Sequence, residues 1–169
     1  MMTNDVLRSV RYMLDLGDMH VVNIMKMADF DATPEDVASW LKKEDDAGYV
    51  PCPPVALTHF LDGLIIFRRG KKEDAPVVPV VSNAFEKDVD HNNINNNVVL
   101  KKLRVAFELK EENLHAIMET AGFRISKPEL SALFRNKKHK NYRACGDQFL
   151  RNFLKGLTLC IRDNNTGEA

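Results

Sequence analysis

Between Arg135 and Arg143 the chain reads Arg-Asn-Lys-Lys-His-Lys-Asn-Tyr-Arg, five fixed cations within nine residues and one aromatic ring among them. Cations at that density can neutralise several phosphates, and a tyrosine set among them offers a face on which a base can stack. Arg151 and Lys155 follow four residues apart, the spacing of neighbours on one helix face, and Lys127 stands a little upstream. Lys127, Arg135, Lys137, Lys138, Lys140, Arg143, Arg151 and Lys155 are therefore the candidate nucleic-acid contacts, acting through phosphate attraction more than base readout. The plainer alternative is a solvated loop, with Asp147 paired to Arg151 across one helical turn.

Other chemistry finds little support. The chain has no Gly-rich phosphate loop, no Gly-x-Ser-x-Gly elbow and no His-Glu-x-x-His, so no catalytic residue is assigned and an enzyme is not expected. Asp15, Asp18, Glu111 and Glu112 fall in or beside first helical turns, where a carboxylate stabilises the helix dipole. Cys52, Cys145 and Cys160 are odd in number and lack paired spacing, which argues against a disulfide framework. His139 lies near Cys145, but no second Cys/His pair has ligand spacing, so neither a metal nor a cofactor is expected.

Composition is that of a protein with a core: 44% of the 169 residues are hydrophobic and 28% charged. No apolar run reaches the roughly 18 residues that cross a bilayer, and Met1 to Val10 lacks a secretory signal's apolar stretch. A soluble, cytoplasmic protein is the expectation. The formal charge of zero hides an asymmetry: residues 1–70 hold 7 Lys/Arg against 11 Asp/Glu, and residues 96–169 hold 14 against 8. The front is acidic and the back basic.

Two elements of one kind must position these residues, because the sequence matches itself without gaps from Asn4 against Asn97 to Gly70 against Asp163. Leu7/Leu100, Arg11/Arg104, Leu16/Leu109, Ile24/Ile117, Met25/Met118, Phe30/Phe123, Tyr49/Tyr142, Cys52/Cys145, Phe60/Phe153, Gly63/Gly156 and Arg69/Arg162 are among the identical pairs. Cys52 and Cys145, at equivalent positions, read as small buried residues near the start of a fourth helix. Trp40, aligned with Leu133, reads as core.

Within each copy the apolar spacing is helical. Leu7, Val10 and Leu14, and Leu100, Leu103 and Phe107, share one face of a first helix. A second spans about Asp18 to Ala28 and Glu111 to Ala121. Thr33 caps a third, with Pro34 at its first position, and Ser126 and Glu129 have capping-box spacing in the other copy. The fourth carries Leu57, Phe60, Leu61 and Leu64, or Leu150, Phe153, Leu154 and Leu157. A glycine in its middle, Gly63 or Gly156, costs roughly 1 kcal/mol and predicts that another backbone passes close by. Arg11 and Arg104 are expected to pair locally with Asp15 and Glu108, four residues on.

The stretch Asp31 to Leu41 resembles the turn and recognition helix of phage-repressor-type DNA-binding domains, on a small polar cap followed by apolar residues on one face. In the first copy Lys42-Lys43 is followed by Glu44-Asp45-Asp46, which repels phosphate; the second copy has Lys137-Lys138-His139 there.

Longer motifs carry a family resemblance: Ser39-Trp40-Leu41-Lys42-Lys43-Glu44-Asp45-Asp46, Gly63-Leu64-Ile65-Ile66, Arg69-Gly70-Lys71-Lys72-Glu73, Leu130-Ser131-Ala132-Leu133-Phe134-Arg135, and the run from Cys145 to Leu157. On these the chain resembles the YehS-like bacterial proteins, a family of unknown function, over nearly its whole length; the segment from Val77 to Asn95 is longer than is usual there. The resemblance implies tandem helical repeats and a bacterial cytosolic setting, with no known activity and no catalytic residues to carry over.

The sequence thus predicts an all-α protein: two tandem copies of a four-helix unit, helix-turn-helix-like in their second and third helices and related by pseudo-two-fold symmetry. The acidic unit spans residues 1–70, a polar Pro/Asn-containing linker 71–96, with Val77 to Val81 laid on a surface in extended form, the basic unit 97–163 and a frayed tail 164–169. The functional expectation is a non-enzymatic nucleic-acid-binding, regulatory protein using the basic unit. The alternative is a protein–protein adaptor using the acidic unit or the groove between units.

Overall fold

The computed structural model describes residues 3–70 and 94–166. The linker segment 71–93, with its extended Val77 to Val81, lies outside the described residues, as does 167–169. Eight helices and no strand occur among the described residues: α1 (Thr3–Leu14), α2 (Asp18–Met27), α3 (Pro34–Leu41), α4 (Pro54–Arg69), α5 (Asn96–Ala106), α6 (Glu111–Thr120), α7 (Lys127–Leu133) and α8 (Asp147–Thr166). The protein is all-helical.

Helix starts follow the local chemistry. Thr33 Oγ1 accepts from the Asp36 N–H at 3.1 Å while the Asp36 carboxylate accepts from the Thr33 N–H at 3.2 Å. Ser126 and Glu129 make the same reciprocal pair at 3.3 and 3.2 Å, satisfying donors that a helix start leaves open. Asp15, past the end of α1, and Glu108, past the end of α5, both take left-handed backbone, with φ of 53° and 52°. At its C-terminal end α8 continues to Thr166, where a frayed tail is expected; the first glycine stop signal in the sequence is Gly167.

Most predicted core positions are buried, whereas Leu14 and Phe107, at the ends of their helices, are only half-buried. Leu7, Val10, Leu100, Leu103, Phe60 and Phe153 have 1% exposure or less, and Trp40 is 6% exposed. A Cβ built on Gly63 would stand 1.8 Å from the Ile24 carbonyl oxygen, and one on Gly156 2.1 Å from that of Ile117. The glycines are thus the points at which α2 crosses α4 and α6 crosses α8, an approach that any side chain would block.

Packing joins the two halves of the chain directly. α2 lies on α4 and α6 on α8, each within its own half, but α1 packs chiefly on α8 and α5 on α4. Polar groups line this seam. Lys102 of α5, almost fully buried, is hydrogen-bonded to Asp62 of α4. Arg68 Nε donates to the Ala106 carbonyl at 3.1 Å and its guanidinium lies 4.3 Å from the Phe107 ring centroid. Arg162 donates twice to the Tyr12 carbonyl, at 2.9 and 3.2 Å, and stacks 3.8 Å over that ring.

The expected pairing of Arg104 with Glu108 is corrected here. Arg104 Nε donates to the Leu109 carbonyl at 3.1 Å, and its guanidinium lies 4.6 Å from the Phe134 ring centroid. The Glu108 carboxylate instead lies 3.4 Å from Arg69, in the other half. Glu108 sits past the helix end in left-handed backbone, so it is not one turn along the face that carries Arg104.

Candidate nucleic-acid interface

One buried amide holds the basic loop shut. Asn97 lies on the apolar face of α5, 5% exposed. Its Nδ2 donates to the carbonyls of Leu133 and Arg143 at 3.0 and 2.9 Å, and its Oδ1 accepts from the Cys145 N–H at 2.8 Å. Both ends of the segment between α7 and α8 are thereby tied to one side chain, and the Arg143 N–H adds a bond to the Ala132 carbonyl at 3.1 Å.

Ninety-three residues earlier the same set recurs. Asn4, 1% exposed, donates to the carbonyls of Trp40 and Val50 at 2.9 and 3.0 Å and accepts from the Cys52 N–H at 2.9 Å. The Val50 N–H donates to the Ser39 carbonyl. Inside the loops, His139 N–H to Asn136 O and Tyr142 N–H to His139 O have their counterparts in Asp46 N–H to Lys43 O and Tyr49 N–H to Asp46 O. These asparagines were not singled out in the sequence, although the signal was there: a polar residue identical in both copies, three positions before Leu7 or Leu100 on an apolar stripe.

The loops differ in what they present. Residues 42–50 carry Lys42 and Lys43 against Glu44, Asp45 and Asp46, a formal charge of −1; residues 135–143 carry Arg135, Lys137, Lys138, Lys140 and Arg143, a formal charge of +5. All five of those cations are exposed. His139 Nδ1 accepts from the Asn141 N–H at 3.0 Å, which leaves the proton of the neutral ring on Nε2 as a further donor. Arg143 lies 3.8 Å from Glu129, both well exposed, a contact that water and salt weaken.

The remaining candidates lie outside the loop itself, on the helices before and after it. Lys127 is exposed at the first position of α7, about 10 Å of helix away from the loop. Arg151 and Lys155 are exposed on α8, one turn apart. Asp147, which the solvated-loop alternative pairs with Arg151, accepts from Asn96 Nδ2 at 2.7 Å.

Elsewhere the chemistry is sparse. Burial pushes the Cys52 and Cys145 thiols up to about 12, keeping them protonated at neutral pH. Among the described residues no group of three His, Cys, Asp or Glu side chains could hold a metal ion. An open depression of about 550 Å³ is lined by His115, Glu119, Gly122, Phe123, Arg124 and Ile125. No described helix is long and apolar enough to cross a membrane.

The class so defined is an all-helical protein whose two halves repeat the same loop anchorage and bury their helices against each other. The chain belongs to a family of proteins of unknown function, DUF1456, whose profile matches it twice, over residues 3–70 and 96–162. It is similar to the uncharacterized protein YehS of Escherichia coli strain K12, with 48% identity over 157 residues, covering 93% of this chain and 94% of that one. No solved structure matches the chain.

Proposed function

We propose that the chain is a non-enzymatic nucleic-acid-binding protein, built from two tandem copies of one four-helix unit in pseudo-two-fold arrangement, with the loop after α7 as its phosphate-contacting surface. One observation carries this reading: the same anchored loop occurs twice, and only the second bears a dense, exposed positive charge. A structural requirement would act on both copies alike, so the contrast speaks for a polyanion at the second. The reciprocal packing of α1 on α8 and α5 on α4 supports the two-fold arrangement.

The contact falls to the loop rather than to an inserted helix. α3 and α7 have only eight and seven residues, and their first turns carry Glu35 and Asp36, or Glu129, which repel phosphate. Arg151 and Lys155 extend the surface along α8.

The test is a titration of single-stranded RNA and duplex DNA at low salt. Five phosphates engaged on a single strand give a slope of about −3.5 in log K against log salt, or about 100-fold weaker binding between 50 and 200 mM. Joint replacement of Lys137, Lys138 and Lys140 by Ala should weaken binding by about tenfold or more and flatten that slope. Absence of binding at low salt ends the proposal. Recovery of one protein from lysate after nuclease treatment, without RNA or DNA binding, would support an adaptor role instead.

A further inference from the structure

A duplicated scaffold with two like ends would hold two strands at once. This chain repeats the same anchorage and turn hydrogen bonds at both ends, differing locally at Gly48, which takes left-handed backbone with φ of 82° where the second loop has Asn141, but opposes their charges, and the opposition is concentrated in three adjacent positions. Glu44, Asp45 and Asp46 occupy the places of Lys137, Lys138 and His139, and all three are exposed. The cations beside them are further blunted. Lys42 Nζ turns back to donate to the Ala47 carbonyl at 3.0 Å, and Val50 stands where the second loop has Arg143. Any phosphate near Lys43 would lie within a Debye length, roughly 8 Å at physiological salt, of the three carboxylates.

We infer that Glu44, Asp45 and Asp46 are specificity-determining residues which close the first end to nucleic acid, so that a chain with two-fold architecture takes one strand and does not bridge two. The inference rests on the nucleic-acid reading of the second loop. It adds that the first loop is a similarly anchored platform, with fewer cations, that these three carboxylates switch off.

The closing experiment is a gain of function. In the triple variant Glu44→Lys, Asp45→Lys, Asp46→His the first loop receives the residues that the second holds at turn positions with matching backbone hydrogen bonds, so the fold is expected to persist; circular dichroism checks it. The probe is a single-stranded oligouridylate of about ten nucleotides, a length within the range one compact site covers. The natural chain should saturate at one oligonucleotide, and the variant at two. Energy transfer between donor- and acceptor-labelled oligonucleotides should appear only with the variant. Adding Lys137→Glu and Lys138→Glu to the variant should return the stoichiometry to one, now held by the first loop. If the triple variant does not fold, Glu44→Gln with Asp45→Asn, which leaves the Asp46–Lys43 hydrogen bond in place, should still add a second, weaker site. Two oligonucleotides on the natural chain, or a folded variant that still takes one with unchanged affinity, overturns the inference while leaving the nucleic-acid reading intact. No binding to the natural chain overturns both.

Discussion

Asn4 and Asn97 each complete three hydrogen bonds to backbone groups that have been taken out of water. Asn97→Ala leaves the Leu133 and Arg143 carbonyls and the Cys145 N–H to find other partners. A buried polar group left unpaired costs about 1–3 kcal/mol, so a loss of about 3 kcal/mol or more is expected in urea unfolding. Asn4→Ala should cost a similar amount. On the proposed nucleic-acid reading the two differ in function, because only Asn97 holds the cationic loop: its variant should lose RNA affinity under folding conditions while the Asn4 variant keeps it. The thiols give a second check. With Cys52 and Cys145 buried and protonated, a thiol reagent at neutral pH should titrate one group in the native protein, the partly exposed Cys160, and three after unfolding.

Where helices meet, the glycines set the distance. Gly63→Ala and Gly156→Ala place a methyl group on a backbone carbonyl oxygen of the crossing helix, which must move away. Each should destabilise by about 1–3 kcal/mol or more in denaturant titration. Removing the Thr33 or Ser126 cap should cost less, about 1 kcal/mol each. This level of organisation was largely legible in the sequence. Apolar periodicity located the helices, capping residues located their starts, and a glycine repeated in mid-helix announced the close crossing. What periodicity cannot reveal is the identity of the surface opposite. It marked Leu7 and Val10 of α1 as buried but did not say that α8, not α4, covers most of that face. The pairing of Arg104 with Glu108 failed for a related reason. A four-residue spacing implies contact only while the helix lasts, and Glu108 lies beyond its end. The charge reversal between loops was visible residue by residue; that the loops share one anchorage was not, because the asparagine bonds connecting them to α1 and α5 span 36 to 48 residues.

Taken together, the helices form a structure whose two halves have no separate interiors. α1 depends on α8 and α4 on α5, and the Lys102–Asp62 and Arg69–Glu108 contacts fasten the second dependence. Unfolding should therefore be a single cooperative transition. Fluorescence of the one tryptophan, Trp40 in the first half, should follow the same denaturant curve as helical circular dichroism from the entire chain. Separate midpoints would contradict the shared core. Splitting the gene between α4 and α5 makes the dependence visible. Each polypeptide made alone would expose the apolar side of its first and last helices to water and precipitate or self-associate. Produced together, the two would reconstitute a soluble heterodimer, because the connecting segment supplies local concentration and the complementary faces supply the recognition.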